Sequence, residues 1–222
     1  MREFADLHLR PKSGRDIGLM VEVAQSLGFK TVALTISRKT LDELPKQGVK
    51  LLSRLDVDVS SQSDINESLK GKSYDIVAVR CLTKDAARRA ARDLRVDVLA
   101  FPEAPERRRE IWLDRHEAEV AGATGVAYEV NVSEIITAGM ARLPKLLTQL
   151  RRDLGNAEHH SIPVILSSGA VDPLSMREPR AFVALAELLD IGEEEALRMI
   201  SEAPGKVAVR HLERKGGRDD AG

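Results

Sequence analysis

The chain has 222 residues and a mass of 24.4 kDa, and its 34 basic and 35 acidic side chains give a net charge of −1. This balance excludes a uniformly basic nucleic-acid coat protein, but it leaves room for local basic patches. The single cysteine, Cys81, excludes a disulfide framework and a cysteine-ligated zinc cluster. Because neither a secretory signal nor a membrane-spanning stretch is found, we expect a cytoplasmic protein without membrane contact.

Short apolar segments alternate with longer amphipathic segments along the chain. The apolar segments predict strands at Phe4–Leu9, Thr31–Ile36, Val49–Val59 (in one piece or two), Asp75–Cys81, Val96–Phe101, Val126–Val132 and Pro163–Leu166. The amphipathic segments predict helices at Asp16–Leu27, Ser63–Leu69, Thr83–Leu94, Asp114–Ala123, Met140–Ala157, Pro179–Leu189 and Glu193–Glu202, and a short helix or loop at Leu41–Lys46.

This alternation predicts a parallel sheet covered by helices, since the strands are apolar on both faces. An open sheet and a closed barrel both fit the pattern, and the length of 222 residues favours a slightly short TIM-like (β/α) barrel of the α/β class. We predict a single barrel domain over residues 1–213, followed by a flexible, charged C-terminal tail over residues 214–222.

The sequence lacks the usual motifs of nucleotide and zinc sites. The Gly-Lys-Ser sequence at 71–73 resembles the end of a phosphate-binding loop, but Asn66 stands where that motif needs its first glycine. His159 and His160 precede a predicted strand, whereas barrel active sites lie at the carboxyl ends of strands. We therefore expect both histidines at the surface.

Asp6 and His8 lie two positions apart on the first predicted strand, and strand geometry places such residues on one face. In a barrel both side chains could point inward and either form hydrogen bonds or join a metal site. A metal-dependent hydrolase needs three or more converging ligands. Arg80 and Ser167 at other strand ends are poor ligands, and Glu129 lies inside its strand, so we favour the hydrogen-bonding interpretation.

Basic side chains gather on one predicted helix. Four of them fall within an arc of about 80°, namely Lys84, Arg88, Arg92 and Arg95. Arg89 lies beside this arc, and such a row of cations can follow a phosphate backbone. Since Asp85 and Asp93 lie toward the edge of the arc or beyond it, we expect ion pairing within the helix to account for little of this charge.

The following loop adds Arg107, Arg108 and Arg109, while acidic residues gather in a run without bases from Glu187 to Glu195. The near-zero net charge therefore hides separate patches of each sign. A basic face could meet RNA while another face meets a protein. One alternative is a scaffold that binds a protein partner through the acidic run and has no RNA affinity of its own.

Several segments together resemble a known family. They are Phe4-Ala5-Asp6-Leu7, residues 75–79, Val126–Val132 and, most specifically, Ile162–Ala170 followed by Arg177-Glu178-Pro179-Arg180. From about Phe4 to Glu213 the chain resembles the TIM-barrel protein subunit of archaeal and eukaryotic ribonuclease P, called protein component 3 in archaea. It departs from the family pattern near Asn131–Ile136, where Ser133-Glu134 replaces a frequent Arg-Pro pair and weakens any RNA contact assigned to that loop.

The resemblance implies a barrel of the polymerase-and-histidinol-phosphatase type that lacks the metal cluster of that superfamily. It implies a subunit of the ribonucleoprotein endonuclease that cleaves 5′ leaders from precursor tRNA. The RNA subunit would carry the chemistry with Mg²⁺, and this chain would bind no cofactor. The implied partners are ribonuclease P RNA, a smaller α+β protein subunit, other protein components and, indirectly, precursor tRNA. The alternative is a metal-dependent phosphoesterase of the same superfamily that uses Asp6 and His8.

The resemblance assigns RNA contacts to Arg89, Arg107, Arg177 and Arg180, and the geometry of the basic patches adds Arg88 and Arg109. No catalytic residue and no metal ligand is expected.

Pro179 suits the first turn of a helix. A phosphate at that helix N-terminus would meet backbone N–H groups and the guanidinium groups of Arg177 and Arg180. Alternatively, one of these arginines pairs with Asp172 or Glu178.

Overall fold

Seven parallel strands form the centre of the molecule and neighbour one another in sequence order. The structure is a computed structural model that describes residues 2–45 and 48–219. Its strands are β1 (Phe4–Leu9), β2 (Phe29–Leu34), β3 (Lys50–Val59), β4 (Ile76–Cys81), β5 (Val98–Ala100), β6 (Ala127–Asn131) and β7 (Val164–Ser167). Beyond β7, Ala170 pairs in parallel with Leu9 and accepts a 2.7 Å hydrogen bond from the backbone N–H of Arg10. The two ends of the sheet therefore meet in a nearly closed barrel.

Helices surround this barrel and confirm the predicted (β/α) architecture. They are α1 (Gly14–Ser26), α2 (Arg38–Asp42), α3 (Gln62–Leu69), α4 (Lys84–Arg92), α5 (Arg115–Thr124), α6 (Val132–Thr137), α7 (Gly139–His159), α8 (Pro179–Glu187), α9 (Glu193–Met199) and α10 (Glu202–Asp219). The side chains of Ser13, Ser61, Thr83 and Asp114 accept backbone N–H bonds and so begin α1, α3, α4 and α5. Within 2–45 and 48–219, no helix combines the length and the apolar character needed to traverse a bilayer.

Three helices differ from the predicted elements. Helix α10 was not predicted, and α6 follows β6 directly although no helix was predicted at Val132–Thr137. Strand β3 is unbroken, which is one of the two predicted alternatives. Helix α2 begins at Arg38, before the predicted segment Leu41–Lys46, because Ser37 accepts the N–H of Thr40 and caps it there. Lys46, the end of that predicted segment, lies outside the described residues.

The interior of the barrel contains an apolar layer toward the amino ends of the strands. Its strand residues are Ala5, Leu7, Ala33, Leu52, Ile76, Ala78, Val98, Ala127 and Ile165. Ala203, Val207 and Ala208 of α10 join this layer, and α10 contacts β1, β4 and β7. The last helix therefore covers the amino-terminal end of the barrel.

Helix α10 also extends into the segment for which we predicted a flexible tail, residues 214–222. Its helical backbone continues to Asp219, and residues 220–222 lie outside the described part of the chain. The division into a domain over 1–213 and a tail stays a prediction.

A register shift in β1 changes which side chains face the interior. Ala5 and Leu7 belong to the apolar layer, but the pairing with β2 shifts after Asp6, and the ring of His8 also lies in the interior. Asp6 therefore lies on the other face from His8, so the predicted common face is wrong. The buried Asp6 carboxylate accepts backbone N–H bonds from His8 (3.1 Å) and Ser168 (3.0 Å), so Asp6 forms hydrogen bonds as expected, but outside the barrel interior.

The close approach of α5 to the end of α7 yields a prediction on stability. A Cβ added at Gly122 would lie 2.3 Å from the carbonyl oxygen of His160, whereas a Cβ at Gly155 of α7 would meet nothing within 4 Å. We expect Gly122→Ala to lower the free energy of unfolding by about 1–3 kcal/mol through overpacking. The matched control Gly155→Ala should raise it by about 0.5–1 kcal/mol. Urea unfolding of both variants checks this, and equal stabilities would contradict the packing of α5 on α7.

Candidate functional site

A buried arginine occupies the carboxyl-terminal mouth of the barrel. Arg54 of β3 is 1% exposed, and its guanidinium pairs with both carboxylate oxygens of Glu129 of β6 at 2.7 and 2.6 Å. It also donates to Asp56 and to the carbonyl oxygen of Leu7, each at 2.7 Å. Because a charge taken out of water must be compensated, these contacts allow the cation to lie inside the barrel.

His8 completes this polar network. Its Nε2 lies 2.9 Å from Asp56, and its Nδ1 lies 2.9 Å from Asn131 Oδ1 and 3.2 Å from Glu129. Burial and Arg54 lower the pKa of His8, but Glu129 and Asp56 outweigh both and raise it to about 9. Burial raises the pKa values of Glu129 and Asp56, but the charges of Arg54 and His8 hold them well below their ordinary values. The network therefore consists of charged groups at neutral pH.

The network leaves a cavity of about 270 Å³ at the mouth, and Arg10 and Arg80 lie among its lining residues. Arg80 donates to Asp58 at 2.7 Å, and Arg10 donates to the carbonyl oxygen of Gly169 at 2.8 Å. The cations at the mouth are thus bound by acceptors of the protein itself. Among the described residues, no three His, Cys, Asp or Glu side chains are arranged to hold a metal ion.

The basic helix α4 presents arginines at the surface. The side chains of Arg88 and Arg89 are each 49% exposed, and they pair with Glu117 of α5 at 3.3 Å and with Asp85 at 2.8 Å. The expectation that ion pairing within the helix accounts for little is therefore wrong for Arg89, because Asp85 lies one turn before it. The pair of Arg89 with Asp85 is exposed on both sides and therefore weak, so Arg89 can exchange this partner for an anionic surface.

Glu117 is the buried centre of the contact between α4 and α5. Besides Arg88 it forms an ion pair with Lys84, whose Nζ lies 3.6 Å from its carboxylate. Burial and the hydrogen bond with Asp114 raise the pKa of Glu117 to about 7, whereas Lys84 acts against them. The charge of this carboxylate therefore changes near neutral pH.

Trp112 connects the basic face of α4 with that of α7. The Nζ of Lys84 lies 3.9 Å from the centroid of the Trp112 ring, and the Cζ of Arg152 lies 4.5 Å from it. Lys84 also donates to the carbonyl oxygen of Trp112 at 2.8 Å. Cations from two helices thus meet on one aromatic ring.

The loop after β5 presents two arginines outward and one inward. Arg107 and Arg109 are exposed, whereas Arg108 between them has no exposed surface. The three residues form a 3-10 turn, in which successive side chains point in different directions because a turn takes three residues.

Further cations surround the exposed part of this loop. A backbone hydrogen bond and the charges of Arg142, Lys145 and Arg109 lower the pKa of Glu106 against a small effect of burial. The Nζ of Lys145 lies 4.0 Å from the Glu106 carboxylate. The structure thus brings Arg109 together with two cations at the start of α7.

Arg108 points into the protein and makes a second buried network. It donates to Asp153 of α7 at 3.1 Å, to Glu134 of α6 at 3.1 Å and to the hydroxyl of Tyr128 at 3.2 Å. Glu134, which stands where the family pattern often has an Arg-Pro pair, is buried and binds this arginine. Sequence reasoning missed the role of Arg108, because nothing in three consecutive arginines shows which one is buried.

Arg177 and Arg180 lie beyond β7, two strands from β5 in the barrel. Helix α8 begins at Pro179, as predicted. Arg177 donates to two backbone carbonyl oxygens at 2.9 and 2.7 Å, while Arg180 is exposed. Neither forms an ion pair with another residue of the described chain, so the alternative of pairing with Asp172 or Glu178 is wrong.

Other residues singled out in the sequence lie away from these contacts. His159 is exposed and its ring packs edge-on against His160, which is half-buried, so the predicted surface position is confirmed for His159. Cys81 is buried, and burial raises the pKa of its thiol.

The acidic run is partly neutralised by nearby arginines. Glu194 pairs with Arg2, Glu195 pairs with Arg198, and Asp190 pairs with Arg151 at 2.5 Å. These pairs reduce the negative charge that the run could offer to a protein partner.

The sequence profile of the family described as RNase P subunit p30 matches residues 3–216. The chain belongs to this family. The ribonuclease P protein component 3 of Methanosarcina barkeri is 27% identical to it, over 92% of this chain and 87% of the relative. The protein of the same name from Methanococcoides burtonii is 26% identical, over 94% of this chain and 88% of the relative. Membership of the ribonuclease P subunit family confirms the resemblance seen in the sequence, and it disfavours the phosphoesterase alternative.

Solved structures show the same fold. A chain in the cryo-EM structure of archaeal ribonuclease P with mature tRNA has a TM-score of 0.77 at 18% identity, covering 92% of this chain and 90% of that chain. The ochratoxinase of A. niger has a TM-score of 0.59 at 11% identity, covering 93% of this chain and 71% of that chain. These likenesses confirm the barrel of this ribonuclease P subunit.

The buried charges at the mouth yield a second stability prediction. Arg54→Met removes the cation but leaves Glu129 and Asp56, so we expect a loss of about 3–5 kcal/mol in the free energy of unfolding. The control Arg80→Met breaks an exposed pair with Asp58 and should cost at most about 1 kcal/mol. Urea unfolding compares the two variants, and similar small losses would show that Arg54 does not hold the mouth together.

Proposed function

We propose that this ribonuclease P subunit binds and stabilises the catalytic RNA of the enzyme and has no catalytic activity by itself. The complex in which we place it cleaves 5′ leaders from precursor tRNA in the cytoplasm. The observation that carries the proposal has two parts. Arginines are exposed outside the barrel, and the carboxylates at its mouth are paired with Arg54 and His8 of the same chain. The two parts of this argument are independent.

The first part concerns the exposed cations. Arg88, Arg89, Arg107 and Arg109 lie on α4 and on the loop after β5, at the surface of the protein. Lys84 of α4 and Arg152 of α7 meet on Trp112 of this loop, so cations of both helices lie next to it. Guanidinium groups suit phosphate oxygens because their planar fork can donate two hydrogen bonds at once.

Arg177 and Arg180 would make a second contact. They flank Pro179, the first residue of α8, and this helix end, which no side chain caps, favours an anion through the helix dipole. The side chain of Arg177 already holds two carbonyl oxygens, which leaves Arg180 as the more accessible of the two.

The second part concerns the mouth of the barrel, where barrel enzymes place their catalytic groups. Here Arg54 and protonated His8 neutralise Asp56 and Glu129, so these carboxylates are bound to side chains of the same protein. This arrangement supports a subunit whose chemistry is carried out by the RNA with Mg²⁺. The chain itself would bind no cofactor.

We also propose that the chain works with other protein components, among them a smaller α+β subunit. The solved archaeal structure described above contains ribonuclease P with mature tRNA, and its similar chain is part of that assembly. Contact of the present chain with precursor tRNA would be indirect, through the RNA subunit.

The proposed RNA contacts yield a prediction on salt dependence. Each phosphate-contacting arginine releases counterions, so Arg107→Ala and Arg109→Ala should each reduce the slope of log K against log salt by about 1. Arg198→Ala is the matched control, since Arg198 is exposed but pairs with Glu195 on the acidic face. Titration of ribonuclease P RNA at several salt concentrations checks this. An unchanged slope in both loop variants would remove this loop from the RNA face.

The role in the holoenzyme is tested by reconstituting precursor-tRNA cleavage at limiting Mg²⁺. We expect the chain alone to cleave nothing and the RNA to need more Mg²⁺ when the chain is omitted, because the chain neutralises phosphates that cations must otherwise screen. Cleavage by the purified chain would contradict a non-catalytic subunit. The same Mg²⁺ demand with and without the chain would contradict a stabilising one.

A further inference from the structure

The loop after β5 has little regular structure of its own, yet it carries two of the proposed RNA contacts. Between Phe101 and Asp114 its regular element is the 3-10 turn Arg107–Arg109. Long loops of this kind are mobile unless side chains tie them to the rest of the protein. The position of Arg107 and Arg109 therefore depends on what holds the loop.

The loop is tied to α6 and α7 through its buried side. The guanidinium of Arg108 binds Glu134 of α6 and Asp153 of α7, both at 3.1 Å. Gln149 of α7 donates to the carbonyl oxygen of Pro105 at 2.9 Å, and Arg152 of α7 lies 3.4 Å from the carbonyl oxygen of Arg108. These contacts lie directly before and within the turn that exposes the two neighbouring arginines.

The buried charges give this connection its strength. Arg108 has no exposed surface, and the side chains of Glu134 and Asp153 are 4% and 0% exposed. A charge buried in this way cannot leave its partners without a large cost. The backbone of Arg108 is therefore fixed, and the side chains on either side of it start from fixed positions.

We propose that Arg108 is a positioning residue, which pre-orders Arg107 and Arg109 for contact with phosphate groups of the RNA. This inference rests on the proposed RNA contacts of that loop. Binding to an ordered loop avoids the entropy cost of fixing it in the complex, so loss of Arg108 weakens the contribution of its neighbours without removing either cation.

The test is a double-mutant cycle in the full chain bound to ribonuclease P RNA. It compares the native chain, the Arg107→Ala/Arg109→Ala variant, Arg108→Met, and the combination of all three changes. In the native background the double change should reduce the salt slope by about 2. In the Arg108→Met background we expect the same change to have less than about half of that effect, because the two arginines are no longer held in place.

A purely structural role of Arg108 predicts a different result. The folded fraction would fall, but the effect of Arg107→Ala/Arg109→Ala on the salt slope of the folded protein would be the same in both backgrounds. Circular dichroism identifies the conditions under which each variant is folded. Additive effects there would overturn the positioning role.

Two further variants keep the test valid if Arg108→Met does not fold. Arg108→Lys keeps the buried charge but loses the planar fork. In this background we expect the effect of Arg107→Ala/Arg109→Ala on the salt slope to lie between its effects in the native chain and in Arg108→Met. Gln149→Leu cuts the contact with Pro105 without disturbing the buried charges, and it should reduce the effect of the neighbouring arginines in the same direction. Full additivity in both of these backgrounds would overturn the inference.

The outcome also separates this inference from the function on which it rests. If Arg107→Ala/Arg109→Ala changes neither the affinity nor the salt slope of the native chain, the proposed RNA contacts of the loop are wrong and the positioning role falls with them. If the double change acts but is additive with Arg108→Met, the RNA contacts stand and the positioning role alone is overturned.

Discussion

A guanidinium group that leaves water needs carboxylates around it. This requirement determines the structure at the mouth of the barrel and in the loop after β5. Arg54 and Arg108 are among the largest fully buried side chains of the protein. The first lies at the mouth of the barrel and neutralises the carboxylates there, and the second binds a loop outside the barrel to α6 and α7. The same physical constraint therefore compensates the buried charges at the mouth of the barrel and holds the loop outside it in place.

Much of the fold could be predicted because hydrophobic periodicity decides it. Strands buried on both faces and helices with one apolar face produce an alternating pattern that is readable without a structure. Helix α6 was missed because Val132 and Ile135 are β-branched and continue the pattern of the preceding strand. Helix α10 was not predicted, although Ala203 and Val207 stand at helical spacing, because the many charged residues of this segment obscure its short apolar pattern.

The candidate site was predictable in part. The cations of α4 could be placed on one arc, and the pair between Asp85 and Arg89 was readable from their spacing of four residues. The RNA contacts were assigned from the family resemblance, except those of Arg88 and Arg109, which came from the geometry of the basic patches. The networks around Arg54 and Arg108 could not be predicted, because they join residues from distant parts of the chain that only the closed barrel brings together.

Helix α10 covers the amino-terminal end of the barrel, and this affects how the chain folds during its synthesis. Its residues Ala203 and Val207 pack with Ala5 and Leu7, so β1 and α10 share one core although they are far apart in sequence. A ribosome releases the amino-terminal strand long before the helix that covers it. The barrel can therefore reach its final packing only once α10 has been synthesised, and until then the first strands expose apolar surface that chaperones could recognise.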